Sequence, residues 1–191
     1  MRLWRARATI VWAVCLCMMG SLVFGPVPSR AATAEAIDTA AHRALDQFRS
    51  EFTGASTVLR DAKGVLIFPE IIQAGVGIGG GYGEGVLRVG GATAGYYNLT
   101  TGSLGIQFGA QRKSVIVAFA TDQALREFRA KAGRNGYWKA GVDGSIVLVD
   151  VGGQASSNPG PNEPIVGYVF GQKGFMFNLS LQDAKISRIE R

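Results

Sequence analysis

Residues 75–85 read GVGIGGGYGEG, with glycine at every odd position and Val76, Ile78, Gly80, Tyr82 and Glu84 between. A β-strand sends successive side chains to opposite faces, so this stretch forms a strand with one bare face. Glycine weakens a strand unless something must approach its backbone, and the bare face therefore predicts a second layer, a bulged bend or a ligand lying against it. The strand itself either runs straight or reverses at Gly79–Gly81, where adjacent glycines suit a tight primed turn.

Outward from this stretch, more strands are expected. Residues 65–68 are apolar, with Pro69 closing that strand; 96–99 and 103–110 follow, and 114–120 is the continuous apolar run of a strand buried on both faces. Asp143 and Gly144 separate 139–142 from 146–151 and predict a two-residue hairpin. A loop is expected over 152–164, a second hairpin from 165–170 and 175–179 around 171–174, and a last strand at 185–189. Helical spacing marks 35–52, through Ile37, Ala41, Ala44, Leu45, Phe48 and Phe52, and a short helix is expected at 56–62. A further helix runs from a Thr121 or Asp122 cap to about Ala132, ended by Gly133. Strands dominate without regular alternation with helices. The expected fold is α+β: a mainly antiparallel, glycine-rich sheet, sandwich or barrel-like, with an N-terminal helix and one inserted helix.

The chain has 191 residues, 47% of them hydrophobic and 18% charged, the profile of a globular domain with its own core. Residues 1–31 read as a secretory signal peptide: Arg2, Arg5 and Arg7 precede an apolar run at 10–24, and Ser29 and Ala31 stand at the small positions before a cut at Ala32. The expected product is exported, either periplasmic or secreted, or membrane-associated with the leader kept as an uncleaved anchor. Cys15 and Cys17 both fall in the leader, so the mature chain has no thiol or disulfide chemistry, and Val14 and Leu16 before them do not fit lipidation. The formal charge of +6 includes four leader arginines, which leaves sixteen basic against fourteen acidic residues and a charge of +2. Nucleic acid is not an expected partner for so nearly neutral a chain.

Enzyme chemistry lacks parts. Gly75, Gly77 and Gly80 match the letters of a dinucleotide fingerprint, but the glycines that follow forbid the helix this motif must open. His42 is the sole histidine, so a histidine metal cluster cannot be assembled, and its place on the polar side of the first helix, one turn after Asp38, favours a plain surface role over catalysis. Neither cofactor nor metal is expected. Glu70, Glu84, Asp143 and Asp150 are the carboxylates whose meeting in space would reopen catalysis.

The cations are more suggestive. Lys63, Arg112, Lys113 and Lys173 fall at expected turns, where a cluster of them beside glycine-exposed amides would bind a phosphate headgroup. In the first helix, Ile37, Leu45, Phe48 and Phe52 form an apolar face that either contacts a membrane or packs on the domain's own sheet.

Six ordered blocks carry a family resemblance: AKGVLIFP at 62–69, GGYGEGVL at 80–87, GYYN at 95–98, GAQRKSVI at 109–116, GVDGS at 141–145 and FGQKGFMFNL at 170–179. With them the chain resembles the SYLF domain family, as a bacterial-type exported member. The resemblance covers roughly residues 55–190, so that with the leader and the first helix the expected organisation is a signal peptide at 1–31, an N-terminal amphipathic helix at 32–54 and a SYLF-like domain at 55–191. It implies a non-enzymatic lipid-binding module for anionic phospholipid at an envelope or host membrane, since eukaryotic relatives bind phosphoinositides. Its alternative is an envelope protein-interaction module, actin-regulator-like, whose partner docks on an exposed strand or the bare glycine face.

Overall fold

A computed structural model describes residues 31–133, 135–151, 163–174 and 184–191, with 76–78, 103–108 and 174 as backbone. Its central feature is a two-stranded ribbon, β1 (Gly64–Val89) against β2 (Ala92–Phe119). Gly90 and Gly91 turn the ribbon at φ +58° and +83°, left-handed values that a two-residue type I′ loop demands at both centres. The glycine stretch therefore runs on and reverses only at 90–91, with Gly79, Gly80 and Gly81 paired to Ser103, Gly102 and Thr101. Pro69 does not end β1. The register slips between Phe68 and Ile71, and this bulge absorbs the missing proline N–H while Pro69 O accepts from Ser114 Oγ at 2.8 Å. The stretches expected as separate strands at 96–99, 103–110 and 114–120 are one continuous β2.

The bare face is filled by β1 itself. Its second half lies against its first: a Cβ on Gly83 would sit 2.7 Å from Glu70 O, and one on Gly85 would clash with Ile67 O. Only a residue without a side chain permits that approach, so the second layer expected over the glycines is the same strand folded back.

Among the described residues β2 is the hub of a six-stranded sheet. Beyond β1, its first half pairs with β6 (Lys185–Ile189) and its second with β5 (Ile165–Gly174), both antiparallel. β4 (Val147–Asp150) joins β5 in parallel, and β3 (Trp138–Lys139) joins β6. Among the described residues three helices complete an α+β fold: α1 (Ala34–Glu51), α2 (Ala55–Asp61) and α3 (Asp122–Lys131). Thr33 and Thr121 cap α1 and α3, each accepting from the amide three residues on at 3.2 Å.

Alternation divides the sheet's apolar residues between two cores. Leu66, Phe68, Val115, Val117 and Phe119 pack with Tyr97, Trp138 and α3, through Leu125 and Phe128. Val65, Ile67, Ile116 and Ala118 pack with Tyr168, Phe170 and α1. The run at 115–119 is thus buried on both faces, as its sequence predicts. Both cores are built within Ala32–Arg191, which forms one compact unit.

The expected hairpin at Asp143–Gly144 does not form, because β3 and β4 pair with different strands. Asp143 instead closes a tight turn: its carboxylate accepts from Lys131 Nζ at 2.6 Å and Lys139 N at 2.7 Å, and its own N–H donates to Lys139 O. Those bonds, the Lys131 one foremost, hold its carboxyl below the usual aspartate range. The second expected hairpin is likewise altered, since β5 continues through Gly171 to Gly174; residues 175–179 and most of the 152–164 loop lie outside the described residues.

Candidate functional site

The four nominated cations do not converge. Arg112 on β2 stands directly across from Lys173 on β5 and Ile72 on β1, forming one row over three strands. Lys113, the next residue along, takes the opposite face and is 2% exposed. Lys63 lies at the foot of β1, where its N–H donates to Phe119 O, about seven residues along the ladder from Arg112 and so roughly 23 Å away. The expected single pocket is therefore replaced by a pair, Arg112 and Lys173. Arg112, Lys173 and Ile72 are exposed, Ile72 at 45%, and Arg112 Nη1 lies 3.7 Å from Glu70 Oε2. Like charges directly opposite on neighbouring strands repel, and an anion shared between them removes that cost.

Lys113 belongs to a buried polar group inside the folded ribbon. Its Nζ donates to Gln73 Oε1 at 2.5 Å, and Gln111 Nε2 donates to the same oxygen at 2.7 Å. Gln73 and Gln111 are cross-strand partners, and the absent side chain at Gly81 leaves the space that Gln73 Cγ fills. Burial disfavours the ammonium and pushes Lys113 down to about 8.

The apolar face of α1 is occupied. Ile37, Leu45 and Phe48 are buried against the sheet, and Phe48 is ringed by Phe52, Tyr168 and Phe170 with centroids 5.2–5.4 Å apart. Phe52 is half-buried and also meets Tyr168. The expected membrane contact through these four residues is corrected on that ground: the sheet face supplied by Ile67, Ile116 and Tyr168 takes the helix first. The polar side of α1 is tied down as well. Asp38 accepts from Tyr96 OH at 2.6 Å and Thr93 Oγ1 at 3.2 Å, and lies 3.7 Å from Arg88; the Asp38 bond raises the Tyr96 pKa. His42 sits exposed over the Arg88 guanidinium at 3.2 Å.

The four carboxylates singled out for catalysis are each engaged elsewhere. Glu84 accepts from Tyr82 OH at 2.6 Å and Arg191 Nη2 at 2.5 Å, Glu70 faces Arg112, Asp143 holds Lys131, and Asp150 accepts from Gln172. Among the described residues no three His, Cys, Asp or Glu side chains are grouped to hold a metal, and no helix is long and apolar enough to cross a membrane.

Among the described residues, two open cavities stand out. One, of about 390 Å³, lies between the start of α3 and the Asp143 turn, lined by Thr121, Glu127, Trp138 and Ile165. The other, of about 310 Å³, lies between α1, α2 and the β1–β2 turn, and Arg49, Arg60 and Arg88 all line it. Sequence reasoning missed these arginines because they come from three separate elements, and no local spacing connects them. No family model matches the chain, and no curated protein matches it either.

Proposed function

We propose that the chain is an exported, non-enzymatic module of SYLF type that binds anionic phospholipid surfaces. The observation that carries this reading is the row Ile72–Arg112–Lys173, in which two cations stand side by side with an exposed apolar residue on one solvent face. On a membrane, Ile72 enters the headgroup layer while Arg112 and Lys173 take phosphates, the arginine by a fork and the lysine as a point charge. The six sequence blocks that resemble SYLF domains support the same direction.

Co-sedimentation of the Ala32–Arg191 unit with vesicles of phosphatidylglycerol in phosphatidylcholine tests it. Each basic residue near such a surface contributes about 1 kcal/mol, so R112A/K173A should bind about 30-fold more weakly. Raised salt should weaken wild-type binding in the same sense. Wild-type sedimentation by the double variant would remove the site. Failure of the wild type to bind any vesicle, together with one stoichiometric co-purifying protein, would replace the reading by the protein-interaction alternative.

A further inference from the structure

We propose that the cleft between α1, α2 and the β1–β2 turn is a phosphate-group site, separate from the exposed Ile72–Arg112–Lys173 row. Arg49 from α1, Arg60 from the last turn of α2 and Arg88 from the end of β1 line a single cavity. Each guanidinium has five N–H donors in a fixed fork, and the partners it has leave most of them unused. Arg49 gives one bond to Asp46 and Arg60 one to Asp61, at 2.9 Å each, and neither aspartate lines the cleft. Arg88 is the fixed member: its side chain is 14% exposed, it is placed by Asp38 and His42, and its buried Nε has no acceptor among the described residues. Three forks on one cavity suit a tetrahedral anion with three free oxygens better than a planar carboxylate.

The rest of the lining says what the phosphate is attached to. Leu45, Leu59, Val65 and Ile67 supply an apolar wall, and Gly90 and Gly91 complete the lining without side chains. The volume of about 310 Å³ is at the small end for ligand sites. It takes a phosphomonoester with a short apolar body. The bound group is either the headgroup end of a lipid or a free phosphomonoester.

Titration calorimetry on the Ala32–Arg191 unit separates these and tests the site. The probes are glycerol 3-phosphate and dihexanoyl phosphatidic acid, the latter below its micelle concentration so that no surface is present. Saturable binding of either probe, weakened at least tenfold in R49A/R60A, is the expected result. These two side chains are 49% and 69% exposed, so the double variant should keep the wild-type melting temperature without ligand. Binding of the lipid at least tenfold tighter than glycerol 3-phosphate assigns the apolar wall to an acyl segment; equal binding assigns the site to free phosphomonoesters. No saturable binding of either probe, or wild-type affinity in R49A/R60A, overturns the proposal. Vesicle sedimentation reads the exposed row independently, so loss of sedimentation with retained calorimetric binding, or the reverse, shows which of the two proposals has failed.

Discussion

Replacing Lys113 by Met should abolish a rise in stability that the native protein shows between pH 8 and pH 10. Lys113 is 2% exposed, and burial lowers its pKa from 10.5 to about 8. Across that interval the unfolded chain still holds the proton that the folded chain has released, so stability climbs with pH. At about 1.4 kcal/mol per unit, the shift sets a ceiling of about 3 kcal/mol, which residual solvent screening reduces to about 2 kcal/mol. Tyr82, pushed up to about 12 by burial and its bond to Glu84, and Tyr96, Tyr97 and Tyr168, all raised, act in the opposite sense. Their contribution is complete below 10 and is lost above it, which makes pH 8 to 10 the clean window. Trp138 is the single tryptophan after residue 31 and lies in the core, so urea unfolding followed by its fluorescence reports directly on Ala32–Arg191. The native unit should gain stability over the window at constant ionic strength, and K113M should be flat. A native unit with no gain, or a variant with the same slope as the native one, would refute the claim that Lys113 is folded into a low-dielectric interior.

Phe48→Ala should cost about 3–5 kcal/mol in urea unfolding, since the ring is wholly buried among three aromatic neighbours; native stability with lost vesicle binding would return α1 to the membrane. Gly85→Ala should cost about 1–3 kcal/mol because its methyl group meets Ile67 O, whereas Gly102→Ala, in open space, should stay within about 0.5 kcal/mol. Equal midpoints for the two variants would count against the folded-back ribbon. Thr121→Ala removes the bond to Ala124 N and should cost about 1 kcal/mol, with faster amide exchange confined to the first turn of α3; unchanged exchange there would discount the cap.

Local patterns were legible where a single element carries its own instruction. α1 is announced by apolar spacing, α3 by its Thr121 cap and inward Leu125 and Phe128, and 115–119 by an unbroken apolar run. Breakers misled where the tertiary fold absorbs them. Pro69 reads as a strand end, yet a bulge carries β1 past it, and Asp143–Gly144 reads as a hairpin, yet Lys131 and Lys139 draw Asp143 into a different turn. Gly90–Gly91, between two alternating stretches, was the readable signal for the true reversal. The cation cluster failed for a reason the chain already contained: consecutive residues of a strand face opposite ways, so Arg112 and Lys113 could not share a pocket once their segment proved to be strand and not turn.

By itself the sequence determined that residues 75–85 would be a strand with one naked face, because a period of two and a run of glycines are both local properties. What came to lie on that face was decided only by the tertiary structure, in which β1 doubles back until Gly83 and Gly85 touch the backbone of Glu70 and Ile67. The same distinction governs the charges. Their number is written along the chain, but whether an arginine faces water, another cation or a shared cleft depends on where α1, α2 and the two long strands meet, and that is set by the burial of both sheet faces.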